Sequence, residues 1–239
     1  MTAPHSLRLA LLACGLLLAA ACSAHNDAGD ASASTASANA APAAFTEGNQ
    51  YVALAPPGGT PQPTGAVVVM EVFSYACPHC AEFAPYMDKL RAALPKGATV
   101  RYMPAVFYPE WMPAAQTFYA TRQLGVLGRT HDLILKAHRE HYPLNSLEDY
   151  ATFLARHGVD RQTFLAAATN ATTSSDMAAD QRSEMAWNIN ETPTLLVGRM
   201  SSSAGDAAFV PLLRSGRVTS LEEMQQVGVW MAKQVASGH

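Results

Sequence analysis

The stretch VVVMEVFSYACPHC, residues 67–80, decides the fold of this chain. Residues 67–74 are almost continuously apolar, as a central β-strand buried on both faces would be. Pro78 follows shortly afterwards, and proline is favoured in the first turn of a helix. The pattern therefore predicts a buried strand that leads directly into a helix at Cys77–Pro78, with a cysteine pair at the beginning of that helix.

The placement of the two cysteines predicts thiol–disulfide chemistry. The first turn of a helix has unpaired backbone N–H groups and partial positive charge, so it stabilises a thiolate at Cys77. Cys80 lies one turn later on the same face, where it can close a local disulfide with Cys77 and resolve mixed disulfides. His79 adds a hydrogen-bond donor or, when protonated, a positive charge. Because these groups stabilise the thiolate and hence the reduced pair, we expect the disulfide to be an oxidant.

Glu71 is the one charged residue within the predicted buried strand. A carboxylate is costly to bury in an apolar strand without a partner, so we expect its pKa to be raised. Its position just before the cysteine helix suits general acid–base catalysis. The alternative is a structural ion pair with Arg101 on the neighbouring strand, and both interpretations can hold together.

The chain before residue 45 is predicted to lie outside the fold. Residues 1–22 contain a short apolar run that matches the hydrophobic region of a signal peptide and falls below the ~20 residues of a membrane-spanning helix. Alanines precede Cys22, as in a bacterial lipoprotein signal, although alanine stands where leucine is usual, three residues before the cysteine. Cys22 is therefore a candidate lipid attachment site, and cleavage shortly after it is the alternative. Residues 23–44, rich in alanine and serine, are predicted to form a flexible tether.

Cysteine usage and charge narrow the possible functions. The chain has 4 cysteines and a formal net charge of −3, which argues against a nucleic-acid-binding protein. Cys14 leaves with the signal and Cys22 is lipidated or removed, so the exported protein keeps only Cys77 and Cys80, which are too close to staple a sizeable loop. Half of a zinc site and a purely structural disulfide are the alternatives. Structural zinc usually needs four ligands, and we expect no metal or organic cofactor.

The remaining sequence predicts one sheet interrupted by helices. Hydrophobic patterning and turn residues give the order strand, strand, helix, strand, a block of helices, two strands and a final helix. The predicted strands are 51–55, 67–74, 99–106, 194–197 and 208–210. The predicted helices are 77–94, 114–124, 130–141, 147–157, 161–168, 175–187 and 221–235. Ser146, Asp160 and Gly158 are the expected caps and stop within the helical block. We expect a sheet domain over 45–239 with a helical insertion at about 110–188.

The segment VMEVFSYACPHC, with Thr192-Pro193 before a later apolar strand, resembles the DsbA family of periplasmic disulfide oxidases. The similarity covers residue 45 to the C-terminus and is strongest around 71–85. It implies an α/β, thioredoxin-like fold with an inserted all-helical domain. The family is itself a standard illustration of a lowered thiol pKa and an oxidising disulfide, so both effects are also implied by the resemblance.

The resemblance implies roles for individual residues. Cys77 matches the exposed nucleophile of the family, and Cys80 matches its buried partner. Pro78 and His79 match the dipeptide that tunes the pair. Glu71 matches a buried acid that relays protons to the inner cysteine.

Thr192 and Pro193 match the family's cis-proline loop, which packs against the cysteines and binds an extended substrate strand. Valine is common before this proline in oxidases, whereas threonine is common in isomerases and occurs in oxidases too. A reductase or isomerase of the same fold therefore remains an alternative. Isomerases of this kind usually carry a dimerisation module, and the segment before Phe45 is too low in complexity to be one.

The implied function is the introduction of disulfide bonds into exported proteins in the periplasm. The expected partners are reduced or partly folded exported proteins and a DsbB-type, quinone-linked membrane oxidase that reoxidises the pair. We expect a monomer that contacts a membrane only through a lipid on Cys22. The alternative from a different class is a lipoprotein that binds peptide or metal and uses its cysteines only structurally.

Overall fold

The computed structural model describes residues 45–55, 63–201 and 208–238. The predicted signal peptide, the tether and Cys22 lie outside these residues. The strands are β1 (Tyr51–Ala53), β2 (Val67–Phe73), β3 (Thr99–Pro104), β4 (Thr194–Ser201) and β5 (Ala208–Ser215). The helices are α1 (Pro78–Ala93), α2 (Met112–Gln123), α3 (Leu127–Arg139), α4 (Leu147–Ala155), α5 (Arg161–Ala168), α6 (Ala171–Ala186) and α7 (Leu221–Ser237). Within the described ranges, none of these helices combines the length and apolar character needed to cross a membrane.

The strands form one mixed sheet in the order β1-β5-β4-β2-β3. Strand β2 pairs with β3 in parallel and with β4 antiparallel, so it lies inside the sheet. Every residue of β2 is buried, which explains its nearly continuous apolar sequence. The predicted central strand is therefore confirmed.

Alternate residues of β2 and β4 pack on opposite sides of the sheet. Val69 and Val197 contact α1 and α7 on one face. Met70 and Leu196 belong to a second apolar cluster on the other face. The alternation follows from the two-residue period of a strand. Both faces of the sheet are therefore covered by apolar clusters.

Helix α7 approaches α1 and the sheet closely at Gly228. A Cβ atom at this position would lie 2.6 Å from Leu195 Cδ1 and 2.7 Å from Leu90 Cδ1. Glycine is thus required by packing here, because any side chain would displace two core leucines.

The helices between β3 and β4 form a block whose apolar core reaches the cysteine end of the sheet. Cys77 and Cys80 belong to the same buried cluster as Phe118 and Ile134 of this block, and α3 packs against α1. The fold is the predicted thioredoxin-like α/β arrangement with a helical insertion.

The element ends differ from the predictions in a few places. Helix α6 begins at Ala171 rather than at residue 175, because the Asn170 side chain accepts a hydrogen bond from the Thr173 N–H and caps it. The predicted caps Ser146 and Asp160 are confirmed. Strand β5 extends to Ser215, beyond the predicted end at residue 210, because its pairing with β4 continues to Arg214.

Candidate active site

Cys77 occupies the N-cap of α1, directly after the turn that follows β2. Its backbone N–H donates to the Ser74 carbonyl at 3.1 Å. The Cys80 N–H donates to Cys77 Sγ at 3.4 Å, so the sulfur does what a serine or aspartate oxygen does at an ordinary N-cap. Pro78 fills the first helical turn. The predicted placement of the cysteine pair at a helix N-terminus is confirmed.

The surroundings of Cys77 favour its thiolate. A hydrogen bond from the Cys80 thiol is the largest influence that lowers the pKa of Cys77 from its ordinary 9.0 to about 6. Burial opposes this effect, while the Thr192 side chain and the backbone N–H groups of Cys80 and His79 reinforce it. Cys77 is therefore suited to be the nucleophile and the leaving group in disulfide exchange.

The surroundings of Cys80 favour its neutral thiol. Its side chain is fully buried, and burial is the main cause that raises the pKa of Cys80 well above its ordinary value. Its hydrogen bond to Cys77 and the negative charge of Cys77 raise the pKa further, as does Glu71 when its carboxyl group is ionised. The two thiols thus differ in ionisation, with the outer sulfur charged and the inner sulfur protonated at neutral pH.

The loop before β4 lies against the redox pair. Cys77 Sγ lies 3.5 Å from the Thr192 carbonyl oxygen, and the Thr192–Pro193 peptide bond is cis. A groove of about 370 Å³ adjoins this loop, and its lining includes His79, Pro193 and Met224. The sequence-predicted residues of the cysteine motif and of the proline loop therefore come together at one site.

Glu71 lies beneath the pair with 1% of its surface exposed. In the described part of the chain its Oε1 atom has no hydrogen-bond partner. Burial, followed by the negative charge of Cys77, raises the pKa of Glu71 well above 4.5, whereas the nearby Arg91 lowers it. Arg101 stands opposite Met70 in the sheet register, and Tyr102 stands opposite Glu71. The alternative of a structural Glu71–Arg101 ion pair is therefore wrong, because the nearby cation comes from α1.

A cavity with both polar and apolar lining residues lies near this buried acid. It has a volume of about 440 Å³, and Arg91, Tyr102, His131 and Asp132 are among its lining residues. Arg91 donates to the Tyr102 hydroxyl at 2.7 Å. Burial, with a smaller contribution from Arg91, lowers the pKa of His131 to about 3, so this imidazole is neutral. The sequence did not identify these groups, because they meet only when α1, β3 and α3 pack together.

No three histidine, cysteine, aspartate or glutamate side chains of the described ranges come together as a metal site would require. His79 lies between the two cysteines in the sequence. Its Nδ1 atom is 3.5 Å from Glu82 Oε2, and both side chains are largely exposed.

Comparison with known proteins agrees with this geometry. A family model described as Thioredoxin matches residues 62–205. The thiol:disulfide interchange protein DsbA of Pseudomonas aeruginosa is 33% identical over 165 residues, which cover 68% of this chain and 78% of that protein. DsbA of Azotobacter vinelandii is 33% identical over 168 residues, with 70% and 78% covered. A crystal structure of a Pseudomonas aeruginosa DsbA variant superimposes with a TM-score of 0.67 at 26% identity, covering 81% of this chain and all of that one.

Proposed function

Because the chain belongs to the DsbA family of thiol:disulfide interchange proteins, we propose that this thiol:disulfide oxidoreductase works as an oxidase that introduces disulfide bonds into exported proteins. The observation that supports the proposal is that the pKa values of the two thiols are shifted in opposite directions. The pKa of Cys77 is lowered to about 6, and that of Cys80 is raised. A dithiol in which one thiolate is stabilised by its surroundings resists reoxidation, so its disulfide gives up oxidising equivalents readily.

The reaction begins with the oxidised Cys77–Cys80 pair. A thiolate of the substrate attacks Cys77 Sγ, a mixed disulfide forms, and the Cys77–Cys80 bond breaks with its electron pair on Cys80. Cys80 then takes up a proton. Glu71 is the group that supplies it, since burial raises the pKa of Glu71 and so favours its protonated form.

A second substrate thiolate completes the exchange. It attacks the substrate sulfur of the mixed disulfide, and Cys77 leaves as a thiolate. The substrate has then lost two electrons and the enzyme has gained two. Cys77 is a good leaving group because its pKa is low, which favours release of the oxidised product.

The substrate is bound beside the leaving sulfur. The Thr192 carbonyl lies at Cys77 Sγ, where the backbone of an extended substrate can pair with the loop. The adjoining groove next to His79 and Met224 accepts the side chains that flank the reacting cysteine. Pro78 and His79, between the two cysteines, tune the pair through the geometry and charge of the first helical turn.

The family and the N-terminal sequence support a proposal for the cellular setting. We place the protein in the periplasm, tethered through residues 23–44 and a lipid on Cys22. A DsbB-type, quinone-linked membrane oxidase would reoxidise the pair. Replacing Cys22 by serine and fractionating the cells tests the tether, because the substituted protein should move from the membrane fraction to the soluble periplasmic fraction.

The oxidase assignment is tested by whether the protein forms disulfides in a substrate or reduces them. The oxidised protein should form disulfides in a reduced, unfolded substrate stoichiometrically and at once, and Cys77→Ser should abolish this. A reductase or isomerase is the second candidate function, because threonine, as at Thr192, is common before this proline in isomerases. It predicts instead fast reduction of insulin disulfides and recovery of activity from a scrambled substrate. A protein that reduces insulin and reactivates a scrambled substrate, but forms no disulfides in a reduced substrate, is not an oxidase.

A further inference from the structure

Pro85 leaves one carbonyl of the redox helix without its usual partner. In an α-helix the carbonyl of Ala81 would accept a hydrogen bond from the N–H of residue 85. Pro85 lies inside α1 and has no N–H. The free carbonyl belongs to the residue directly after Cys80, so its environment bears on the redox pair.

Arg139 takes the place of the missing donor. This residue ends α3 in the helical block, and its Nη1 donates to the Ala81 carbonyl oxygen at 2.9 Å. Throughout the described ranges no carboxylate forms an ion pair with Arg139. A neutral backbone donor of an ordinary helix is thus replaced here by a cation, and hydrogen bonds from charged donors are the stronger kind.

A line of hydrogen-bonded peptide groups connects this cation to the nucleophile. The Ala81 carbonyl and the Glu82 N–H belong to the same peptide group. In the regular hydrogen bonding of the helix, the Glu82 N–H donates to the Pro78 carbonyl. The Pro78 peptide group in turn carries the His79 N–H, one of the two backbone donors that act on the Cys77 sulfur. Hydrogen bonds in such a chain polarise one another, so a positive charge at one end strengthens the donor at the other.

We propose that Arg139 is a positioning residue of the redox pair: by bonding the carbonyl that Pro85 leaves free, it polarises the peptide groups leading to Cys77 Sγ and makes the Cys77–Cys80 disulfide a stronger oxidant. The inference rests on the proposed function in taking Cys77 as the nucleophile. It assigns the helical block a chemical role, since α3 supplies the hydrogen-bond donor that Pro85 cannot provide.

The first test compares two arginines that both donate to backbone carbonyls. Arg139→Met removes the charge at Ala81, whereas Arg129→Met removes donors to His157 and Gly158 within the helical block. The pKa of Cys77, followed by the ultraviolet absorbance of the thiolate, should rise by about half a unit in Arg139→Met. The equilibrium with glutathione should move about threefold in favour of the enzyme disulfide, and Arg129→Met should change neither value.

The second test asks whether the effect passes through the Ala81 carbonyl. Pro85→Ala restores a neutral donor to that carbonyl, so Arg139→Met should then change the Cys77 pKa much less than it does in the parent protein. An equal change in both backgrounds would mean that Arg139 acts through space, and would overturn the proposal. Thermal unfolding of each variant checks that it is folded.

The two proposals fail in different ways. An unchanged Cys77 pKa in a folded Arg139→Met protein contradicts the role of Arg139 and leaves the oxidase intact. A parent protein whose disulfide is not oxidising contradicts the proposed function, whatever the variants do.

Discussion

The sulfur of Cys77 lies 3.5 Å from the backbone carbonyl oxygen of Thr192, although 115 positions separate the two residues in the sequence. The sheet explains this contact. Strand β2 ends just before Cys77 and β4 begins just after Thr192, and the antiparallel register pairs Val72 with Thr194. The whole helical block is inserted between the two strands without separating Cys77 from the Thr192–Pro193 loop.

Thr192 is predicted to set part of the acidity of Cys77. Its side chain is one of the groups that lower the pKa of Cys77, so Thr192→Val should raise that pKa by about one unit, the order of a hydrogen bond to a charged group. The rate of alkylation by iodoacetamide as a function of pH measures it. Thr169→Val, on the exposed end of α5, is the control, and an equal shift in both variants would contradict the assignment.

Cys80 is predicted to be the strongest influence on Cys77 in the reduced protein. Its thiol hydrogen bond is the main cause of the lowered Cys77 pKa. Cys80→Ser keeps an O–H donor and Cys80→Ala does not, so the Cys77 pKa should be higher in the alanine variant, by about one unit.

The same alkylation profile distinguishes the two Cys80 variants, since each retains Cys77 as its only described cysteine. Identical profiles would mean that a donor at position 80 does not stabilise the thiolate. In addition, both variants should accumulate mixed disulfides with substrates that contain a disulfide. The Cys77 thiolate attacks the substrate disulfide and releases one substrate thiolate, and Cys80 is no longer available to displace the sulfur that stays bound.

Much of the site could be predicted from the sequence because its parts are contiguous. The apolar strand, the helix that starts at Cys77 and the acid at Glu71 are all visible in residues 67–80, and their spacing fixes their relative positions. The groups that surround them could not be found this way. Arg91, Tyr102 and Arg139 act only because α1, β3 and α3 pack together, and no local pattern records that packing.

Glu71 is predicted to make stability fall as the pH rises. Its pKa in the folded protein is raised well above 4.5 by burial, so the folded state holds a proton that the unfolded state has already lost. Stability is therefore greatest below about pH 4.5 for this group and is lost as the pH rises through the raised value. Glu71→Gln has no carboxylate to ionise, so its stability should not fall in this way. At a pH at which the Glu71 carboxylate is ionised in the parent, the variant should have a free energy of unfolding about 1–3 kcal/mol higher.

Urea unfolding at a series of pH values measures the effect of Glu71→Gln. Glu110→Gln, at an exposed position, serves as the control and should follow the parent at every pH. A difference between Glu71→Gln and the parent that does not grow with pH would show that Glu71 is not a buried acid of raised pKa. The same variant should also form the mixed disulfide more slowly, since the proton source for the leaving Cys80 is gone.

Two glycines are predicted to respond to alanine in opposite directions. Gly228→Ala would place a Cβ within 2.7 Å of two leucine methyl groups, so it should destabilise the protein by about 1–2 kcal/mol. Gly128→Ala, in α3 with no atom within 4 Å of its Cβ position, should stabilise it by up to about 1 kcal/mol. Thermal unfolding of both variants tests the close approach of α7; a neutral Gly228→Ala would contradict it.

The boundaries of the helical block show where local signals fail. Ser146 and Asp160 were recognisable as caps because each stands before a clear apolar period. Helix α6 has no strong apolar face, so no apolar period marks Asn170 as its N-cap, and the predicted start at residue 175 is too late. The predicted strand β5 is too short, since Pro211 within it is typical of a break. Its pairing with β4 nevertheless continues past Pro211 to Arg214, with a register shift between Val197 and Gly198 of β4.

The most direct measurement is the equilibrium between the Cys77–Cys80 pair and glutathione over a series of reduced-to-oxidised ratios. If the thiolate of Cys77 is stabilised as the contacts from Cys80, Thr192 and the helix N-terminus indicate, the pair stays reduced until the buffer is strongly oxidising, and its disulfide oxidises most protein thiols. A pair that is already fully oxidised in a mildly reducing buffer would contradict the oxidase and make the protein a reductase.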